Sequence, residues 1–470
     1  MSQSGMYVSN PLKEHEVVVT DDIKNLGYLE VTDILGDFGF FPKKNYLYWE
    51  TPFSNYDYNT YTFEKAKEKS LLKFRKHSNL DGIYSFPDIS YLVEPVEGLW
   101  LLALDANVFI SKKNKDSGEI SYPGVGLGYN NVIDHKQYLI NWVQKVSQQA
   151  KKYNKTLITF SHYPMVDFND GASIHIKNLK IENQMQLERN PKEEVSRSFA
   201  DAGIKLHFGG HMHLNDTGIY KTEKGNTLIN IQTPSLAAYK PAYKLATLVD
   251  SNIIDIETII IDSVPRYNEL FDLYNQEYAF LKNRNEKNIW NNKILTSSNY
   301  GEFTNWHLKE LVRLRFLPAE WPPGFINFFT SLTGKELLVI SQNDHSMAIS
   351  DLILKLRQGN IELNALKKAK IKMQNSKGYE DWSGFDFLFD IYRFRSADHL
   401  AANDIGTTRI AQYNLIIDSF LKHNENSKNK DPYQKYILEL MHLFKKFMNG
   451  EPSNHIKVNL STGTVTSITK

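Results

Sequence analysis

The sequence predicts an α/β unit followed by a mainly α-helical region. Three observations carry that expectation. Leu99–Asn107, Thr156–Ser161 and Ile204–Phe208 are short apolar runs that end in polar residues, as strands buried on both faces do. The stretches between them, Asp134–Tyr153 and Pro191–Ala202, carry helical signals. After Pro265 the spacing of apolar residues becomes helical almost throughout.

Taken in order, residues 1–98 are rich in Tyr, Phe, Asn and Lys without sustained periodicity. They read as irregular structure with short helices such as Thr62–His77. In the first helix between strands, Leu139, Trp142, Val143 and Val146 fall at i, i+3, i+4 and i+7 and form one apolar face. The second has Pro at its start and Gly203 just past its end. Strand, helix, strand, helix, strand is the alternation of an α/β sheet, with polar residues gathered at the carboxyl ends of the strands. Further strands are expected at Thr227–Gln232, Lys244–Val249 and Ile253–Ile261. A boundary near Ser263–Arg266 separates domains at 1–264 and 265–470. Helices are expected in the second at Tyr267–Asn283, Phe303–Phe316, Ser346–Met373, Phe385–Ala397, Thr407–Lys422 and Tyr433–Met448. His455–Lys470 reads as a hairpin turning near Thr462-Gly463.

Composition narrows the chemistry. The 470 residues allow about three folding units or one large and one smaller domain. With no cysteine, disulfides, thiolate nucleophiles and iron–sulfur clusters are excluded. Lys plus Arg total 55 against 54 Asp plus Glu, so no global field favours a nucleic acid partner. No apolar run is long enough to span a membrane. The opening residues show no signal-peptide pattern; the compartment stays open between exported and cytoplasmic.

The informative stretch is LHFGGHMHLN at Leu206–Asn215. Two histidines one residue apart at a strand end can present imidazoles on one face, and Gly209 and Gly210 let the backbone turn and approach a ligand. Neutral imidazole suits zinc, iron and manganese. His162, in SHYP at Ser161–Pro164, also follows an apolar strand immediately. Neighbouring parallel strands would bring all three histidines to the same sheet edge.

These residues make the chain resemble the calcineurin-like metallophosphoesterases, bacterial members in particular. GGHMH matches that family's terminal G-H-x-H motif and SHYP its preceding single-histidine motif, within about Ser90–Asp250, a third of the chain. The resemblance implies a β-sandwich flanked by helices and incomplete at its N-terminus, and a centre of two divalent metals (Mn, Fe or Zn). It implies hydrolysis of a phosphomonoester or phosphodiester by a metal-bound hydroxide. His162 and His211 would ligate one metal and His213 the other, with His211 also near the phosphate.

The family's earlier motifs, D-x-H, G-D-x-x-D and G-N-H-D or G-N-H-E, are not found. Gly36-Asp37 has Phe40 in place of the second aspartate, and the two Gly-Asn pairs, at Gly225 and Gly359, lack the histidine. His15 and His77 precede the matched region but follow no apolar strand. Either the chain begins after the G-N-H-D loop, which the retained G-H-x-H favours, or it is a non-catalytic member whose helical region binds a partner. In the first case sheet neighbours of the missing strands would stand unpaired.

Weaker signals are assigned blander roles. Asp105 in ALDAN is expected as a strand-end turn residue that could lie near the metals. Gly124, Gly126 and Gly128 follow a polar stretch, so they read as a plain loop. Tyr239 and Tyr243 either border a substrate cleft or pack in a core. Ser396-Ala397-Asp398-His399 is expected as a helix-end cluster, because adjacency in sequence does not create triad geometry.

Overall fold

The computed structural model describes residues 3–8, 17–78, 85–110, 112–113, 120–121, 125–179, 182–344, 347–360, 362–374, 377–424 and 431–468. His15, Gly124, Ser346, Thr469 and Lys470 therefore lie outside the described residues.

A seven-stranded mixed sheet carries the first part of the chain. Its strands are β1 (Tyr48–Glu50), β2 (Tyr91–Val96), β3 (Leu99–Leu104), β4 (Thr156–Ser161), β5 (Leu206–Gly209), β6 (Asp216–Lys221) and β7 (Thr227–Gln232), in the spatial order β6-β7-β5-β4-β3-β2-β1. β3, β4, β5 and β7 run parallel, and antiparallel strands flank them on both sides. The crossover from β3 to β4 contains the helix Gln137–Lys152, whose Leu139, Trp142, Val143 and Val146 are all buried as their spacing predicts. Glu193–Asp201 lies between β4 and β5 and buries Val195 and Phe199. The β3-α-β4-α-β5 core expected from the sequence is thus observed.

The N-terminal expectation needs correction. Residues 48–50 are a sheet strand, and Tyr48 and Trp49 are wholly buried. The helix expected at Thr62–His77 is only Phe63–Lys69, followed by a 3-10 turn and a strand at Lys76–Ser78. Alternation is invisible in so short a strand as β1, whereas the strand pair that the family resemblance implies over SYLVEPVEGLWLLALDAN is observed as β2 and β3.

A second sheet has four strands in the order β8 (Ala242–Leu248), β9 (Ile253–Ile260), β10 (His455–Asn459) and β11 (Thr464–Ser467), all antiparallel. It shares an apolar layer with the first: Leu206, Ile229 and Ile231 cluster with Ile254, Ile256, Ile456 and Val458. The C-terminal hairpin forms where expected, yet it pairs with β9, a strand before the anticipated boundary near residue 264. Strand pairing is non-local, so nothing in the hairpin's own residues names its partner. At the free edge of this sheet β8 leaves Tyr243, Leu245 and Leu248 between 41% and 50% exposed.

Between β9 and β10 the chain is mainly helical and builds its own core. Phe387 packs against Tyr413 and Phe444 at 4.9 and 5.0 Å between ring centroids, both edge to face. The helix expected at Ser346–Met373 is two, Ile349–Arg357 and Asn364–Met373. Gly359, at φ +81°, lies in the break between them, where a left-handed backbone ends the first helix cheaply. Helix Ser173–Leu179 from the α/β part packs on Pro432–Phe447, with His175 bonded to Glu439 at 2.8 Å. No helix among the described residues is long and apolar enough to cross a membrane.

Candidate functional site

β4 and β5 are parallel neighbours, so their carboxyl ends open on the same edge. His162 follows β4 directly. β5 ends at Gly209, and the next residues run against the 162–164 segment: Gly210 N–H donates to the His162 carbonyl at 3.0 Å. A Cβ on Gly209 would lie 3.1 Å from the Pro164 Cα. The close approach that the glycine pair suggested is therefore real, and its partner is the SHYP backbone.

The approach sets the histidines. His211 Nδ1 lies 2.9 Å from His162 Nε2, and the Tyr163 ring packs on His211 with centroids 4.2 Å apart. His211 Nε2 is buried with no hydrogen-bond partner. The expectation that His211 and His213 share a strand face is corrected: both sit beyond the strand at φ +63° and +57°, in a turn closed by Met212 N–H donating to the Gly210 carbonyl at 2.7 Å. His213 is exposed. Two left-handed non-glycine residues in a three-residue stretch store backbone strain of a kind that clusters at functional sites.

Burial keeps the His162 and His211 imidazoles neutral at neutral pH. Burial, reinforced by His162, Arg189 and His213, pushes His211 down to about 4. Burial and His213 also lower His162. A neutral ring offers a lone pair, the state a metal needs. His207, inside β5, is the contrast. It is fully buried and bonded on both sides, to Asn230 Oδ1 at 2.7 Å and Ser161 Oγ at 2.8 Å, which makes it a structural histidine tying β4, β5 and β7 together.

A cavity of about 310 Å³ beside His162 is lined by Asp105, Asn107, Tyr91, Phe160 and Tyr163. Asp105 thus shares a cavity with His162, but its carboxyl is committed inward, accepting from Tyr28 Oη at 2.9 Å and Asn107 N–H at 3.0 Å. Burial raises its pKa. Beneath it lies a network that sequence reasoning missed: Lys136 and Asp88, both with wholly buried side chains, form an ion pair at 2.8 Å. Lys136 also donates to the Asp105 and Asn107 carbonyls at 2.9 and 3.1 Å. No local pattern marks Lys136, which lies in a polar DHKQ stretch that reads as surface.

The remaining candidates fall away from this edge. Gly126 sits in a 3-10 segment, Val125–Asn131, that kinks at Gly128 (φ 57°, ψ −131°). Tyr239 is buried in the helical core, its hydroxyl donating to Asp404 at 2.7 Å, whereas Tyr243 is exposed on β8. At Ser396–His399, the His399 ring is 2.6 Å from Asp398, and the hydroxyl on Asp398 comes from Ser453. That hydroxyl meets a carboxylate and not an imidazole, so no nucleophile and base are paired.

Among the described residues no group of three or more His, Asp or Glu side chains is arranged to hold a metal. No protein-family model matches the chain, and no curated protein matches it either.

Proposed function

We propose that the chain is a metal-dependent phosphate-ester hydrolase whose site is the carboxyl edge of β4 and β5. His162, His211 and His213 are its metal ligands, with His211 also beside the phosphoryl group. The observation that carries this reading is the pair of ring nitrogens 2.9 Å apart, contributed by the segments that follow two adjacent parallel strands, with the second nitrogen of His211 buried and free. The motif resemblance supplies the reaction class. A divalent metal would supply charge stabilisation and an acidified water.

Neutral imidazoles suit one borderline divalent ion. The described residues do not fit a pair of ions, because no carboxylate stands with the histidines to bridge them. The expected result is accordingly weak, metal-dependent hydrolysis of bis-p-nitrophenyl phosphate after loading with Mn2+, Fe2+ or Zn2+. Both His162→Ala and His211→Ala should lose the hydrolysis and the bound metal while keeping the circular dichroism spectrum. The absence of a three-ligand group favours a second reading, a non-catalytic chain whose helical region binds a partner. Purified chain that binds no metal and turns over no aryl phosphate would end the first reading and is the result the second expects.

A further inference from the structure

Phe160 belongs to β4, a central strand of the seven-stranded sheet with a parallel neighbour on each side, yet it is 36% exposed. A large apolar side chain in such a position is ordinarily covered by the layer packed on the sheet. Ile158 and Phe208 share its face and pack against the apolar layer between the two sheets, which does not extend to Phe160. The uncovered side chain instead lines the cavity of about 310 Å³ beside His162, a volume at the lower end of small-molecule sites.

Phe40 and Tyr91 complete an aromatic wall in that cavity. Their rings pack edge to face with centroids 5.5 Å apart, and Tyr91 meets Phe160 edge to face at 6.5 Å. Ala103 is the register partner of both Tyr91 on β2 and Phe160 on β4. Its single methyl keeps the floor between the two rings low, where a larger side chain would fill part of the cavity.

The polar groups of the same cavity are already engaged. Tyr91 Oη donates to the Phe38 carbonyl at 3.0 Å, Asn107 Nδ2 to the Tyr28 hydroxyl at 3.1 Å, and Ser161 Oγ to the Tyr163 carbonyl at 2.8 Å. Asp105 accepts from the Tyr28 hydroxyl and from Asn107 N–H. A ligand rich in hydroxyls would have to displace these bonds and leave buried groups unpaired. An apolar ring would cover Phe160 and disturb none of them. Rings set at right angles in the wall also offer an incoming ring edge-to-face contacts, from which a saturated ring gains less.

We propose that this cavity takes the alcohol part of the phosphate ester and that the alcohol is aromatic, its ring against Phe40, Tyr91 and Phe160 and its phosphate at His162 and His211. The substrate class rests on the hydrolase reading above. Ring binding by the cavity does not, so the two can be tested apart.

Calorimetric titration of the full chain with 2-naphthol tests the cavity without metal or phosphate. One naphthol per chain is expected to bind saturably below a millimolar, at least fivefold more weakly in Phe160→Ala and in Phe40→Ala. Decahydro-2-naphthol should bind severalfold more weakly than 2-naphthol, and myo-inositol not measurably; both comparisons use the unaltered chain and stand even if a variant misfolds. His211→Ala should bind 2-naphthol like wild type. In the Mn2+-loaded chain the non-hydrolysable (2-naphthylmethyl)phosphonate should bind at least tenfold more tightly than either 2-naphthol or ethylphosphonate, and His211→Ala should lose the gain over naphthol. Naphthol binding with no gain from the phosphonate overturns the hydrolase reading, and with it the substrate class, but not the ring site. Equal binding of ethylphosphonate and the naphthyl phosphonate, no saturable naphthol binding, binding unaffected in both cavity variants, or equal binding of decahydro-2-naphthol or inositol overturns the aromatic site and leaves the hydrolase reading in place.

Discussion

Lys136→Met is expected to destabilise the chain by about 3–5 kcal/mol, the cost of leaving one partner of a buried ion pair without the other. Both side chains are wholly buried at 2.8 Å, so no water replaces the lost ammonium. Asp88 would keep only the Tyr138 hydroxyl at 2.6 Å and the Ser90 N–H at 2.7 Å. The carbonyls of Asp105 and Asn107 would lose a donor at the same time. Chemical unfolding of the variant checks the magnitude. The double variant Lys136→Met with Asp88→Asn should lose less than the sum of the single changes, because it removes the stranded charge.

The same pair fixes an acid dependence. Lys136, working against burial, holds Asp88 down to about 2. A carboxyl whose folded pKa is depressed stabilises the fold above its unfolded pKa, and that stabilisation is lost as pH falls through the folded value. For Asp88 the window runs from about pH 4 to about pH 2, and the loss is about 2 kcal/mol. In Lys136→Met burial is opposed only by the Ser90 and Tyr138 hydrogen bonds, so the Asp88 pKa rises and the slope in this window should flatten or reverse. Unfolding midpoints measured at several pH values would show it, and an unchanged acid limb in the variant would refute the assignment.

Gly384→Ala is the second large effect, with an expected loss of about 3 kcal/mol or more, at or above the upper end for overpacking. A Cβ on Gly384 would fall well inside van der Waals distance of the Phe329 carbonyl oxygen and 2.8 Å from its carbon. Backbone cannot rotate aside as a side chain can. The approach is fixed from both directions, since Gly384 N–H donates to the Leu332 carbonyl at 2.7 Å and Thr333 bridges Ser383. Gly384 also opens the helix whose Phe387 anchors the aromatic core, so the strain passes to Phe329, Tyr413 and Phe444. Gly406→Ala serves as a control for the clash: its added Cβ meets nothing within 4 Å, so it bears only the cost of its own φ of +89°. It should lose markedly less stability than Gly384→Ala in the same assay.

Some of this was legible before any coordinates. β3, β4 and β5 are buried on both faces and therefore carry continuous apolar runs that announce themselves locally. The 3.6-residue spacing of Leu139, Trp142, Val143 and Val146 likewise states which face is covered. His162 and His211 could be placed at one edge because parallel neighbours share their carboxyl end. Asp88, Lys136, Asp170 and Asp216 could not be found in this way. A buried charge looks like a surface charge in sequence, and only the partner, 48 residues away for Asp88 and Lys136, tells them apart.

The amino-acid sequence by itself determined the parallel α/β core, the helical region, the C-terminal hairpin and the histidine edge, because each rests on short-range periodicity or on residues adjacent along the chain. Tertiary structure alone decided that the hairpin joins β9, that His211 and His213 sit in a strained turn and not on a strand face, and that the Asp170, Asp216 and Asp398 carboxyls lie close together. Those features depend on contacts between segments far apart in the chain. Burial, which turns a polar residue into a paired or an orphaned one, is a property of the packed chain and not of any stretch of it.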